Sequence, residues 1–207
     1  MKAFAAATIF LAYLLNALSS YAAEVASRAP LVQQGQVLRG EFVQHRHLAG
    51  FGAPLRSTGQ FAVAPGEGLI WKSLVPIPTT VAISLHGLVQ TSGDTELMRL
   101  SAVQAPQFAQ FYRFLEAALA GDWNTLAERY DVVASRDGEG QVLVLRPRDD
   151  GGMLPFEAVT ITLDRFVTGI VIDRHGGDSD RIRFSGFAVD EGGLGDGERT
   201  LLEATAQ

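Results

Sequence analysis

Between Gly40 and Leu85 the apolar residues recur at every second position, inside short runs that Gly and Pro divide. The runs are Glu41 to Leu48, Ser57 to Ala64, Gly68 to Leu74 and Thr79 to Leu85. Successive side chains of a strand point to opposite sides, so this spacing fits strands and not helices. The breaks between the runs predict an antiparallel meander. Phe42 and Leu48, Phe61 and Val63, Leu69 and Trp71, and Val81, Ile83 and Leu85 fall on one face. The other face carries Glu41, His45, His47, Gln60, Lys72, Ser84 and His86. That division is what a sheet with one covered and one wet side requires.

The period changes once. From Pro106 to Ala120, Phe108, Phe111, Tyr112, Leu115 and Leu119 recur at spacings of three and four and line one stripe of a helix. Pro106 suits its start and Gly121 its stop. A second, shorter helix is expected over Trp123 to Tyr130, with Asp122 as N-cap. Weaker helical stretches are read at Glu24 to Ala29 and just ahead of Gly40. Strands resume at Gln141 to Arg146, Ala158 to Leu163, Val167 to Arg174 and Arg181 to Phe187. The segments Asp137-Gly138, Asp149-Asp150-Gly151-Gly152 and Gly176-Gly177-Asp178 read as turns between them. The tail from Asp190, rich in Gly, Asp and Glu, is expected to be loose. The fold class is therefore α+β, a curved antiparallel sheet covered by a few helices. One helical pair is a small cover for eight or so strands, and such a sheet is left with an apolar cleft.

The first residues set the compartment. Met1-Lys2 precedes an apolar run from Ala3 to Leu18, and Ser19-Ser20-Tyr21-Ala22-Ala23 supplies small residues for cleavage. This is read as a secretory signal peptide, residues 1–22, cleaved after Ala22 or Ala23. The competing reading is a membrane anchor, but the run is only about as long as the minimum for a spanning helix and ends in a processable site. A domain over 23–190 and a flexible tail over 191–207 are expected to follow. The chain has no cysteine, so it can be neither diacylated nor held by disulfides. Its net charge is -6 and its 17 basic residues form no patch, which argues against a nucleic-acid partner. A soluble periplasmic protein, monomeric, is the expectation.

Several segments in sequence order resemble the LolA-like outer-membrane lipoprotein carriers. They are Gly40-Glu41-Phe42-Val43-Gln44, Ser57-Thr58-Gly59-Gln60-Phe61, Pro65 through Leu69-Ile70-Trp71, and Pro76. Further on come Leu119-Ala120-Gly121-Asp122-Trp123, Tyr130-Asp131-Val132, Leu143-Val144-Leu145-Arg146-Pro147 and Ile161-Thr162-Leu163-Asp164. No segment is diagnostic alone; the joint order carries the resemblance. It implies an incomplete β-barrel with helices over its mouth and a cavity for acyl chains of a lipid or lipoprotein. It also implies an inner-membrane donor, an outer-membrane acceptor and no bond chemistry. One position departs from the pattern. Where those carriers place a latch arginine before the proline of the Trp strand, this chain has Ala64, which favours a divergent branch with another lipid as cargo.

The cavity is expected to be lined by Phe42, Phe61, Val63, Leu69, Trp71, Ile83, Leu85, Phe111, Leu115, Leu143, Leu145 and Ile161; the alternative for each is ordinary core. His45 and His47 share a strand face but have no third ligand at a metal-binding spacing, so no metal is expected. No nucleophile elbow or HExxH helix is present, and no catalytic residue or cofactor is assigned. Asp178 and Asp180 beside Arg181 and Arg183 read as a charged hairpin rather than a docking surface. The rival function is a sensor or assembly factor that uses the same sheet to bind a protein partner.

Overall fold

The computed structural model describes residues 31–137, 140–148 and 156–207, apart from the side chains of residues 106–111 and 137. The expected signal peptide, the expected helical stretch at 24–29 and the turns expected at Gly138 and 149–152 lie outside the described residues. Eleven described strands form one sheet: β1 (Val37–His47), β2 (Leu55–Ala64), β3 (Gly68–Val75), β4 (Thr79–Ile83), β5 (Gly87–Ser92), β6 (Thr95–Ser101), β7 (Tyr130–Asp137), β8 (Gly140–Pro147), β9 (Ala158–Leu163), β10 (Val167–Asp173) and β11 (Ser179–Asp190). Between β6 and β7 come α1 (Pro106–Ala120) and α2 (Trp123–Arg129), and α3 (Asp196–Glu203) follows β11.

Every neighbouring pair is antiparallel, in the order β6-β5-β4-β3-β2-β1-β11-β10-β9-β8-β7. The sheet is thus two meanders joined where the first strand meets the last, and β6 and β7 stay unpaired to each other. Laid flat, ten inter-strand gaps would span about 48 Å, whereas the 15 residues of α1 reach only about 22 Å. Yet one continuous buried cluster joins α1 and α2 to side chains from ten of the eleven strands. The sheet must therefore curl around the helices. Register shifts in β1–β11, β2–β3, β5–β6 and β9–β10 add the local twist that curling needs.

The alternation read from sequence sorts correctly onto the two sides. Phe42, Phe61, Val63, Leu69 and Ile83 face the helices on the concave side and are buried. Gly59 sits directly opposite Phe42, and a Cβ there would come within 2.0 Å of the Lys72 carbonyl oxygen and 2.8 Å of the Phe42 ring, so only glycine fits.

Four expectations change. The segment just before Gly40 is strand, not helix, because β1 already pairs with β11 at Val37 and Leu38. β5 and β6 are additional strands. The tail is not loose: α3 packs Leu202 against the convex side, together with Leu194, over Val37, Ala62, Ala64, Ile70 and Ala82. Consequently the outer face is wet only in part, and Ser84 is buried there with its Oγ 2.6 Å from Thr205 Oγ1. No helix among the described residues is long and apolar enough to cross a membrane.

Candidate ligand-binding face

The concave face carries an unbroken strip of aromatic rings. Phe42 on β1 stacks on Trp71 on β3 at 3.8 Å between centroids; Phe61 on β2 lies 6.4 Å from Trp71 and 5.2 Å from Phe184 on β11. The strip continues through Phe187, 6.3 Å from Phe61, to Phe166 at 5.0 Å, just ahead of β10. Phe42, Phe61 and Phe184 are buried, but Trp71, Phe166 and Phe187 are half-buried, so the rings run out from under the helical cover. Rings at these separations and tilts attract one another and present a large apolar area.

Most of the residues expected to line a cavity meet in this one cluster: Phe42, Phe61, Val63, Leu69, Ile83, Leu115, Leu143, Leu145 and Ile161 are buried in it, and Trp71 packs at its margin. Leu85 does not join them. β4 ends at Ile83 and the chain bends, with Ser84 N donating to Gly87 O, so strand parity no longer applies and Leu85 is 44% exposed. The Phe111 side chain lies outside the described residues. Sequence reasoning missed Phe184, Phe187 and Phe166. Phe184 was legible from alternation with Ile182. Phe187, three residues on, belongs by parity to the other face; Gly186, at φ +65°, takes up the odd residue opposite the Arg39/Glu41 register shift and turns Phe187 inward.

The cover bridges both wings of the sheet. On the β7–β9 side, Phe114 of α1 lies 5.3 Å from Tyr130 and 5.6 Å from Phe156. Burial pushes the Tyr130 phenol up to about 12, with Arg129 opposing, so it stays protonated. On the β2–β3 side, Glu116 accepts hydrogen bonds from Gly66 N–H at 2.7 Å and from the Tyr112 hydroxyl at 2.8 Å. Burial, then the charge of Glu116, keep Tyr112 protonated and able to donate. Ala64 is fully buried on the convex side beneath α3, and the contact to the cover is made two residues later by Gly66. α2 begins as expected, with Asp122 accepting from Thr125 N at 3.3 Å, but Tyr130 already belongs to β7.

Two clefts lie away from the strip. One of about 410 Å³ separates α1 from residues 32–34 and the β2–β3 turn, with Gln34, Arg113, Glu116 and Asp122 among its walls. The other, of about 280 Å³, lies on the convex side between Glu67, His86 and α3. Neither contains any residue expected to line the cavity.

Electrostatics concentrate at one end of the concave face. Asp180, 1% exposed, receives Arg46 Nε at 2.8 Å, Gln44 Nε2 at 2.8 Å, and Arg174 Nε and Nη2 at 3.0 and 2.7 Å. Burial pushes its carboxyl up, and these donors more than offset it, holding the group below its ordinary value. The segment read as a charged hairpin is the β10–β11 hairpin. Asp178 accepts from Ala49 N–H at 2.8 Å, while Asp180 turns inward to Arg46 and Arg174. Among the described residues, no three His, Asp or Glu side chains converge as metal ligands.

No family model matches the sequence, and no curated protein does. Solved structures do. The chain is similar to a LolA-superfamily protein of Nitrosomonas europaea, at 12% identity and a TM-score of 0.44, over 87% of this chain and 96% of that one. It is similar to a DUF1329-family protein of Desulfovibrio piger, at 12% identity and a TM-score of 0.46, over 92% and 96%. A third is the Pseudomonas aeruginosa MucA/MucB complex, matched at 18% identity and a TM-score of 0.43 over 89% of this chain and 58% of the other. The architecture is an open antiparallel sheet curled around a helical cover, the class that the resemblance of its strands implies.

Proposed function

We propose that this chain is a periplasmic carrier that holds acyl chains of a lipid or lipoprotein against its concave face and ferries them toward the outer membrane. The observation that carries the reading is the aromatic strip, continuous from Phe166 to Trp71 and half-buried at both ends. A strip that only served as core would be covered throughout; one with open ends can extend its apolar contact onto a hydrocarbon chain. In this reading the chain is exported through residues 1–22, breaks no bond, and takes cargo from an inner-membrane donor to an outer-membrane acceptor. The test is native mass spectrometry of protein purified from its own host. A lipid-sized mass adduct, lost in Trp71→Ala, is expected; persistently ligand-free spectra would sink the proposal.

A sensor or assembly factor is the second reading. It draws on Phe51, Leu55, Leu74, Val75 and Ile77, which stand exposed where the β1–β2 and β3–β4 connections share one end of the sheet. Isolation from periplasm of a stoichiometric protein complex without lipid would favour it over the carrier.

A further inference from the structure

The concave face ends in charge rather than in more hydrocarbon. Along β1 the inward residues run Phe42, Gln44, Arg46, and opposite them on β11 stand Phe184, Ile182 and Asp180. A carboxylate buried like Asp180 needs compensation, and one cation would neutralise it. Two are present. Arg46 meets Asp180 through Nε, and Arg174 through Nε and Nη2. Among the described residues, the terminal nitrogens of Arg46 have no partner, and its side chain is 48% exposed. The cluster carries a surplus positive charge in a chain of net charge -6. On its other side, Arg46 faces Leu55 of β2, and Leu55 is 60% exposed. Arg46, the exposed Leu55 and the aromatic strip therefore share one face, with Gln44 and Ser57 in the row between them and Arg46 about 13 Å of strand from Phe42.

We infer that Arg46 and Arg174 seat the phosphate headgroup of an anionic amphiphile whose hydrocarbon chain runs over Leu55 toward the half-buried Trp71. Asp180 and Gln44 are positioning residues: they fix the guanidinium groups without touching the ligand. The planar donor fork of arginine matches phosphate oxygens two at a time, which a lysine could not do. The inference rests on the carrier reading and narrows its cargo.

Delipidated protein titrated with dodecyl phosphate, dodecyl maltoside or inorganic phosphate, followed by tryptophan fluorescence, tests it. Dodecyl phosphate should bind about tenfold or more tighter than dodecyl maltoside at low salt, and the advantage should shrink at about 0.5 M salt. Arg46→Gln should bring the two amphiphiles to within about twofold. Should that variant fail to fold, Arg46→Lys retains a cation for Asp180 and should still lose most of the preference. Equal binding of both amphiphiles by the unaltered protein, or a preference unchanged in the folded variant, overturns the headgroup seat and leaves the apolar face standing. Binding of neither amphiphile overturns the carrier reading and the seat with it. Inorganic phosphate bound as tightly as dodecyl phosphate identifies a free-phosphate site and likewise overturns the inference.

Discussion

The concave side of this sheet carries Phe42, Phe61, Trp71 and Phe184, whereas the convex side behind the same strands carries Ala62, Ala64, Ile70 and Ala82. Curling creates the difference. Side chains on the outside of a curl diverge and only a short helix can be laid over them, so small residues let α3 come close. On the inside they converge, and aromatic rings fill the volume with fewer chains. The fastenings differ too. α1 is held by an apolar aromatic group and the Glu116 to Gly66 contact. α3 is held by Leu202 and by Arg39, which pairs with Glu198 and reaches Asp190 at 3.5 Å. One side thus rests on a deep apolar core, the other on a shallow apolar cluster with a partly exposed ion pair beside it.

Loss of a concave ring should cost most. Phe42→Ala is expected to lower the unfolding free energy by about 3–5 kcal/mol, read as a fall in urea midpoint at unchanged slope; a loss below about 1 kcal/mol would break the contrast between the faces. Asp180→Ala should follow at about 2–4 kcal/mol, less than for a wholly buried pair because Arg46 and Arg174 can rehydrate.

Asp180 also sharpens the contrast through pH. Its folded value is depressed, so its contribution is complete above the unfolded value of about 3.9 and is lost as pH falls through the folded one. Urea midpoints measured downward from about pH 5 should therefore drop less steeply in Asp180→Asn than in the unaltered protein. Identical acid limbs would assign the acid sensitivity elsewhere.

On the convex side, Leu202→Ala should cost about 2 kcal/mol, at the low end for such truncations because the cluster is shallow. Hydrogen exchange should show α3 losing protection while β1 to β3 keep theirs. The smallest effect is expected from Glu198→Gln, under about 1 kcal/mol, since the pair is only partly shielded from water. Arg39, then the Gly195 N–H, hold the Glu198 carboxyl below its ordinary value against a burial effect that raises it, so that small effect should vanish in acid.

The strands that sequence made legible are those whose two faces differ, such as β2 and β3, and the helix with a clear apolar stripe. β5 and β6 were illegible for opposite physical reasons: in β5 the adjacent Leu88 and Val89 are both buried, whereas at the sheet edge Leu97 and Met98 of β6 are both exposed, so neither strand shows alternation. α3 was hidden by Gly193, Gly195 and Gly197, although Leu194, Leu201 and Leu202 recur at spacings of seven and eight and Glu198 sits at the third helical position after Gly195. At the candidate site, Phe42, Phe61 and Trp71 follow from parity alone. The Asp180 cluster does not, because Arg46 and Asp180 are 134 residues apart and only the β1–β11 register brings them together.

That register also governs when the molecule can come into being. Each wing is a ladder of chain neighbours, so β1 to β6 and β7 to β10 can zip from local hairpins at small loop-closure cost. The seam between them waits for the last strand of the sheet to emerge. A chain still threading through a membrane N-terminus first would hold two unfinished half-shells, and its concave face would first become whole after β11 had cleared the channel.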